Sequence, residues 1–302
     1  MSDIPKELPL EVPISVPYAY GWIQTEKSVR DRATNFLYTR QAGGRAVGAL
    51  LRRLRPEVFS EIQGKLISGA EGFLNTEEVS SGLIWKRDEL GKPFLEFEGE
   101  LKQFAERYGI YDKYLHISNT NDGGAHVVLA VYGETIAGVG VDLVALSRLR
   151  SPSKDIEYFA RFARQFMSEQ ELAFFLEACE SLNAGTHIPS NLKPLLSTLA
   201  AQSDHEKVLL LSSAHFSLME SASKACGTGL KMGIGMGKTE SLPKQSLGFN
   251  LNSNPIEMLT DRISEARIEA LGALGYEAAF RYDVSFMMSA VLLMNESIRF
   301  VP

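Results

Sequence analysis

The sequence predicts an α+β fold made of two halves. Each half contains a helix-forming segment, 27–54 in the first and 214–230 in the second, and apolar runs of strand length such as 125–132 and 136–146. With 302 residues, 45% hydrophobic and 23% charged, the chain is long enough for one large or two medium domains. The similar content of the two halves is consistent with a pseudo-duplicated fold, although no convincing sequence repeat is visible.

Composition excludes several classes of protein. The net charge of −6 argues against a generally basic nucleic-acid-binding protein. Cys179 and Cys226 form neither a disulfide framework nor a zinc-binding spacing, which favours a reducing compartment. The N-terminus lacks the apolar core of a signal peptide, and the longest apolar stretch, 284–294, is too short to span a bilayer. We therefore expect a cytoplasmic protein with neither nucleic-acid nor membrane partners.

The first half alternates strands and helices. Four prolines within the first 18 residues predict an irregular arm, and Gly43-Gly44 predicts a break in the helix that follows. The Gly91-Lys92-Pro93 sequence predicts a turn between two short strands. In order, the expected elements are the arm 1–18, a strand at 18–24, a helix over 27–54, the two strands around 91–93, a helix at 101–108 and a strand at 125–132.

The second half follows the same alternation, with more helix. Ser217 and Glu220 have the Ser-x-x-Glu spacing of a helix N-terminus, and Gly227 supplies a stop. The expected elements are a strand at 136–146, helices at 155–166 and 172–178, a loop at 183–194, the helix that begins at 217, a strand at 246–251, a helix over 255–274 and one or two strands within 280–294. The glycine-rich run 233–239 is not a Walker A loop, because Met232 stands where its first glycine is required.

Three charged residues stand out in the second half. Glu220 and Lys224 lie one above the other on a helix, whereas Asp142 is the single acid within an apolar strand. Glu220 and Lys224 alone are also explained by a capping box and an ordinary surface ion pair. A buried carboxylate, however, requires a cation or hydrogen-bond donors nearby. The two segments together therefore suggest a site.

These segments resemble the 4′-phosphopantetheinyl transferase superfamily. The likeness rests on Gly140-Val-Asp142-Leu-Val144, on Phe166-Met-Ser-Glu-Gln-Glu-Leu172, and on Phe216-x-x-x-Glu220-Ser-x-x-Lys224-Ala-x-Gly-Thr-Gly-Leu230. The sequence around these motifs is similar to that of the small holo-acyl-carrier-protein synthases, while the chain length suits the two-lobed Sfp-like members. The resemblance implies a pseudo-duplicated two-lobed α+β fold, with a first lobe at 19–145, a second lobe at 146–302 and an insertion around 181–213.

The resemblance also implies an activity and a set of catalytic residues. The activity is Mg²⁺-dependent transfer of the 4′-phosphopantetheine arm of coenzyme A to a serine of an apo carrier protein, with release of 3′,5′-ADP. Asp142 and Glu220 would hold Mg²⁺, with Mn²⁺ as an alternative ion, and Lys224 would neutralise the phosphate. Glu220 or a water molecule would accept the serine proton, and the residues do not choose between them.

Further residues are candidates for coenzyme A and carrier contacts by the same resemblance. Several of these candidates also have an ordinary structural explanation. The arginines of the first lobe could form a solvated helix face, Lys92 could be an exposed turn residue, and His215 could be an ordinary histidine at the start of a helix. The coenzyme A candidates are Arg40, Arg45, Lys92, Ser118, Asn119, His215 and Lys224. The expected carrier-docking residues, which suit an acidic carrier, are Arg148, Arg150, Arg161 and Arg164.

Departures from the family pattern keep two alternatives open. Asn119 replaces the usual histidine, Met219 the usual lysine, and Val144 a second acid found in Sfp-like members. One alternative is a non-catalytic coenzyme A or carrier-binding module of the same fold. The other is an unrelated metal-dependent phosphoryl or nucleotidyl transferase, which would bind ATP. For the transferase we expect a monomer with an internal pseudo-twofold.

Overall fold

The structure is a computed structural model that describes residues 11–25, 31–60, 65–68, 72–74, 76–89, 92–150, 170, 172–177, 204–227, 248–251, 253, 256–260 and 262–296. Arg161, Arg164, the predicted helix at 155–166, the first ten residues of the arm, the glycine-rich run 233–239 and residues 181–203 of the predicted insertion lie outside these ranges.

The described chain contains both strands and helices, and several strands follow one another directly. The strands are β1 (Tyr18–Gln24), β2 (Phe59–Ser60), β3 (Lys65–Ser68), β4 (Gly72–Leu74), β5 (Leu83–Arg87), β6 (Pro93–Phe97), β7 (Leu115–Asp122), β8 (Ala125–Tyr132), β9 (Ile136–Ala145), β10 (Gly248–Asn250), β11 (Glu257–Leu259), β12 (Gly275–Tyr282) and β13 (Phe286–Met294). The helices are α1 (Arg32–Leu54), α2 (Thr76–Ser81), α3 (Gly99–Arg107), α4 (Leu146–Leu149), α5 (Asp204–Ala225) and α6 (Arg262–Ala270). The predicted strands at 18–24 and 125–132 are confirmed.

The first sheet has the order β1-β8-β7, with antiparallel pairing, and α1 packs on one face. Asp31 caps α1 by accepting a hydrogen bond from the backbone N–H of Thr34. The predicted break at Gly43-Gly44 is wrong, since α1 continues through both glycines. Their missing side chains instead let neighbours approach, because an added Cβ would lie 2.4 Å from the ring of Trp85 at Gly43 and 1.7 Å from Ser80 Oγ at Gly44.

The second sheet has the order β12-β13-β9, also antiparallel, and α5 packs on one face. The predicted helix start at Ser217 is wrong, because α5 begins at Asp204 and runs through the buried apolar segment Val208 to Leu211. Ser217 is buried within the helix and shares a hydrogen bond with Ser289 of β13. The predicted helix over 255–274 is likewise replaced in part by β11, and only α6 is helical.

The two sheets face each other through a shared apolar core. Members of this core from the first sheet include Trp22 and Leu129, and those from the second include Val141 and Leu292. Two further clusters lie beneath α1 and α5. β9, which the sequence analysis assigned to the first lobe, pairs with β13 in the second sheet, so the change of sheet falls between β8 and β9. No helix among the described residues is long and apolar enough to span a membrane.

Candidate active site

Asp142 lies at the contact between β9 and α5. Its side chain is buried, and Oδ1 accepts hydrogen bonds from Lys224 Nζ at 2.8 Å and from the hydroxyl of Thr120 at 2.9 Å. Lys224 Nζ also donates to the carbonyl of Val141 at 3.0 Å. The isolated acid of the apolar strand therefore meets both a cation and a neutral donor, as its burial requires.

Glu220 completes the charged group. Its Oε1 is 3.6 Å from Lys224 Nζ, one helical turn away, and its side chain is 23% exposed. The ammonium thus lies within 4 Å of a carboxylate from each of two elements. The structure brings together the three residues that the sequence analysis singled out, Asp142, Glu220 and Lys224.

The electrostatic environment of Asp142 is set by opposing effects. Burial raises the pKa of its carboxyl from 3.8 to about 7, the nearby ammonium of Lys224 opposes this rise, and the negative charge of Glu220 adds to it. The second carboxylate oxygen, Oδ2, is buried and has no hydrogen-bond partner among the described residues. A buried acceptor of this kind is costly unless something binds it.

Two carboxylates with one unpartnered oxygen suit a hard divalent cation. Within the described ranges no group of three or more His, Cys, Asp or Glu side chains is arranged to hold a metal ion. Mg²⁺ does not require one, because it commonly keeps several waters and uses one or two carboxylates together with substrate phosphates. Asp142 and Glu220 therefore fit this ion as a pair, and Val144, at the position of a second acid in Sfp-like members, is fully buried in the apolar core.

Alternate side chains of β7 bind the backbone of β9. Ser118 Oγ accepts from the N–H of Val141 at 3.0 Å, Thr120 Oγ1 from that of Leu143 at 3.4 Å, and Asp122 Oδ2 from that of Ala145 at 3.0 Å. Ser118 was predicted from the sequence as a site residue, whereas Thr120 and Asp122 were not. The unbroken polar run 118–122 was a usable signal, because every second residue of a strand points to the same side and Ser118, Thr120 and Asp122 therefore lie together.

Lys92 lies near the end of α5 and lines a cavity of about 540 Å³. Lys92 Nζ is 3.5 Å from the carbonyl of Ala225, and burial lowers the pKa of Lys92. His116 and Arg267 also line the cavity, and burial together with the charge of Lys92 lowers the pKa of His116 to about 4. The remaining charged lining residues are Lys113, Asp88, Glu96 and Asp112.

Other predicted coenzyme contacts lie apart from Asp142. Arg45 donates to the carbonyl of Trp22 at 2.8 Å, and Arg40 lies 5.9 Å from the ring of Phe36. Asn119 shares the α1 side of the first sheet with Ile117, opposite to Ser118 and Thr120.

His215 is not at the start of a helix. It is buried in the middle of α5 against the ring of Phe175, and burial lowers its pKa to about 3. The predicted position at the start of a helix is wrong, because α5 begins eleven residues earlier, at Asp204.

The described carrier-docking candidates are both about half exposed. Arg150 pairs with Glu206 at 2.5 Å, and Arg148 lies 3.5 Å from Asp122 and over the ring of Phe216. Their charges are therefore partly compensated by acids of the same chain.

Comparison with known proteins gives a family match. Residues 138–270 match the family model of the 4′-phosphopantetheinyl transferase superfamily, which confirms the resemblance found in the sequence. A search of curated proteins finds no match.

Three solved structures are similar over about half of the chain. They are the holo-acyl-carrier-protein synthase of Neisseria meningitidis (17% identity, 52% of this chain and 98% of that chain, TM-score 0.33), the holo-ACP-synthase of Plasmodium yoelii (12%, 55% and 99%, TM-score 0.33) and the Helicobacter pylori holo-acyl-carrier-protein synthase in complex with coenzyme A (15%, 51% and 98%, TM-score 0.29).

Proposed function

We infer from the match of residues 138–270 to the family model of the 4′-phosphopantetheinyl transferase superfamily that this chain transfers the 4′-phosphopantetheine arm of coenzyme A to a serine of an apo acyl or peptidyl carrier protein. The reaction releases 3′,5′-ADP and depends on Mg²⁺, for which Mn²⁺ can substitute. The observation that carries this proposal is the group formed by Asp142, Glu220 and Lys224, which lies inside the matched residues.

The three side chains have distinct roles in the proposal. Asp142 and Glu220 hold the divalent cation, which when bound neutralises charge on the pyrophosphate of coenzyme A. Lys224 neutralises charge on the α-phosphate of coenzyme A and stabilises the negative charge of the departing 3′,5′-ADP. Glu220, with its partly exposed carboxylate, or a water molecule accepts the proton of the carrier serine.

We place the nucleotide end of coenzyme A toward the cavity beside Lys92. The ammonium of Lys92 and the guanidinium of Arg267 provide two positive charges there, and Ser118 lies on the same side of β7 as His116. Coenzyme contacts by Arg40, Arg45, Asn119 and His215 stay predictions. Arg148 and Arg150, with Arg161 and Arg164, remain the proposed docking residues for an acidic carrier.

We also propose that the chain is a pseudo-duplicated monomer. In both sheets the strand that comes first in the chain packs against a long helix from later in the chain, β1 against α1 and β9 against α5, and the sheet orders β7-β8-β1 and β12-β13-β9 correspond. A close helix contact occurs at Gly21 in one sheet and at Gly140 in the other. In each helix, a basic residue three positions beyond the close contact bonds to the neighbouring strand. Arg45 of α1 donates to the carbonyl of Trp22, and Lys224 of α5 donates to the carbonyl of Val141.

The proposed lobes follow this correspondence. The first begins at residue 19, and its end moves from 145 to the connection between β8 and β9, because β9 belongs to the second sheet. The second lobe runs on to 302. Of the predicted insertion, residues 204–213 belong to α5. Cytoplasmic location is part of the same proposal, and the described cysteine, Cys226, is a free buried thiol.

Intact-mass spectrometry of apo carrier proteins tests the function. We expect a panel of carriers, incubated with the protein, coenzyme A and Mg²⁺, to include members that gain the mass of one phosphopantetheine. Glu220→Gln should abolish the gain, whereas Glu106→Gln, an exposed glutamate of α3, should leave it unchanged. Unmodified carriers together with bound coenzyme A would favour the non-catalytic binding module, and the absence of coenzyme A binding would contradict both readings.

A further inference from the structure

Three side chains of β7 accept the hydrogen bonds that a neighbouring strand would otherwise accept from the backbone of β9. β9 is an edge strand of its own sheet, so the N–H groups on its outer side have no backbone partner within the described sheets. Buried N–H groups require acceptors. Ser118, Thr120 and Asp122 supply them at intervals of two residues, matching Val141, Leu143 and Ala145 on β9. Side chains of the first sheet thereby fix the position of a strand in the second.

Thr120 differs from its two neighbours because it also bonds to a candidate catalytic side chain. A threonine hydroxyl has one hydrogen to donate and lone pairs to accept. Thr120 accepts from the N–H of Leu143 and donates to Asp142 Oδ1. Lys224 binds the same oxygen, so both contacts hold Oδ1 and leave Oδ2 without a partner in the described chain.

We propose that Thr120 is a positioning residue that orients the carboxylate of Asp142 toward a divalent cation. This inference rests on the proposed function for the role of the cation. It assigns a residue of the first sheet to a site whose charged groups all come from β9 and α5, so the site requires both sheets in register.

A Mn²⁺-binding assay tests this proposal without enzyme turnover. Binding is measured as the loss of the electron paramagnetic resonance signal of the free ion. Thr120→Val keeps the shape of the side chain and removes both hydrogen bonds, and we expect its Mn²⁺ affinity to fall by about 10-fold to 100-fold, the usual range for a residue that orients a metal ligand. Thr120→Ser restores the hydroxyl and should bind within about threefold of the wild type.

Asp122→Ala is the matched control. It removes the acceptor for Ala145 but touches no residue of the Asp142 group, so it should lower the melting temperature as Thr120→Val does while retaining Mn²⁺ affinity. Equal affinity of Thr120→Val and the wild type would overturn the proposal, as would an equal loss in Asp122→Ala or a wild type that binds no Mn²⁺. Wild-type binding of Mn²⁺ without modification of any carrier would overturn the transferase function and leave the role of Thr120 standing.

Discussion

At the scale of single residues, Asp142 dominates the energetics of the candidate site. A buried carboxylate is tolerated because Lys224 and Thr120 bind one of its oxygens. Removing one partner of a buried ion pair typically costs about 3–5 kcal/mol, because the remaining charge is left without compensation. A carboxyl whose pKa is raised has another route, since it can take up a proton instead.

Lys224→Met should therefore destabilise the protein much more at pH 8 than at pH 5. The pKa of Asp142 rises from 3.8 to about 7 on folding, so the stability contributed by this group is complete below pH 3.8 and is lost as the pH rises through about 7. Without Lys224 the carboxylate form is disfavoured further, whereas the protonated form needs no cation. Urea unfolding at the two pH values measures the difference in the free energy of unfolding.

Two further variants make this result specific. Lys102→Met removes an exposed lysine that pairs with Glu106 across one turn of α3, and it should change stability by less than about 0.5 kcal/mol at either pH. Adding Asp142→Asn to Lys224→Met should recover stability at pH 8, because no charge then remains to be compensated. An equal loss at pH 5 and pH 8 in the single variant would contradict this account of Asp142.

At the scale of elements, the contact between β9 and α5 places the charged group. Gly140 lets the helix approach so closely that an added Cβ would lie 1.7 Å from the carbonyl oxygen of Ser221. Ser289 of β13 binds the hydroxyls of Ser217 and Ser221 on the other side of this contact. The close packing puts Lys224 within reach of both the carbonyl of Val141 and the carboxylate of Asp142.

Gly140→Ala should accordingly displace α5 and lower the free energy of unfolding by more than about 2 kcal/mol, the range expected when atoms are forced into a packed core. Gly48→Ala is the matched control, because Gly48 lies within α1 and an added Cβ there meets only Val79, at 4.0 Å. That substitution should stabilise the protein by about 0.5–1 kcal/mol through helix propensity. Chemical denaturation measures both, and a Gly140→Ala variant as stable as the wild type would rule out the close approach.

At the scale of the whole molecule, the two sheets cover each other. The apolar faces that would otherwise be exposed meet in one core containing Trp22, Leu129, Val141 and Leu292, and Ser15 binds Glu277 across the two halves. Surfaces buried within one chain need no second copy to cover them. The proposed pseudo-duplication thus implies that the two lobes of one chain cover each other, so that no second subunit is needed to bury these faces.

We therefore expect sedimentation equilibrium to give the mass of a single chain across a wide range of concentrations. Leu274 and Val284 are large apolar residues that are 70% and 93% exposed, and they are the obvious sites of residual association. If weak association appears at high concentration, Leu274→Ser with Val284→Ser should abolish it. A stable dimer that persists in this double variant would contradict the internal pairing.

The sequence by itself identified the charged residues of the candidate site and predicted much of the local structure. The isolated acid in an apolar strand required a cation or hydrogen-bond donors nearby, and the Glu220 to Lys224 spacing placed two charges on one helix face, because both arguments depend only on burial cost and helical period. The strands at 18–24 and 125–132 were likewise predictable from their composition and length. The start of α5 was not, because Ser217 has a capping pattern but its hydroxyl is buried against Ser289.

Only the tertiary structure decided which residues gather around Asp142. Thr120 joins the group, and Asn119, its neighbour in the chain, faces α1, because the pleat of β7 sends successive side chains to opposite sides. The tertiary structure also decided the place of β9, which belongs to the second sheet because it pairs with β13. Such pairing depends on contacts between residues more than 140 positions apart, which no local pattern in the sequence records.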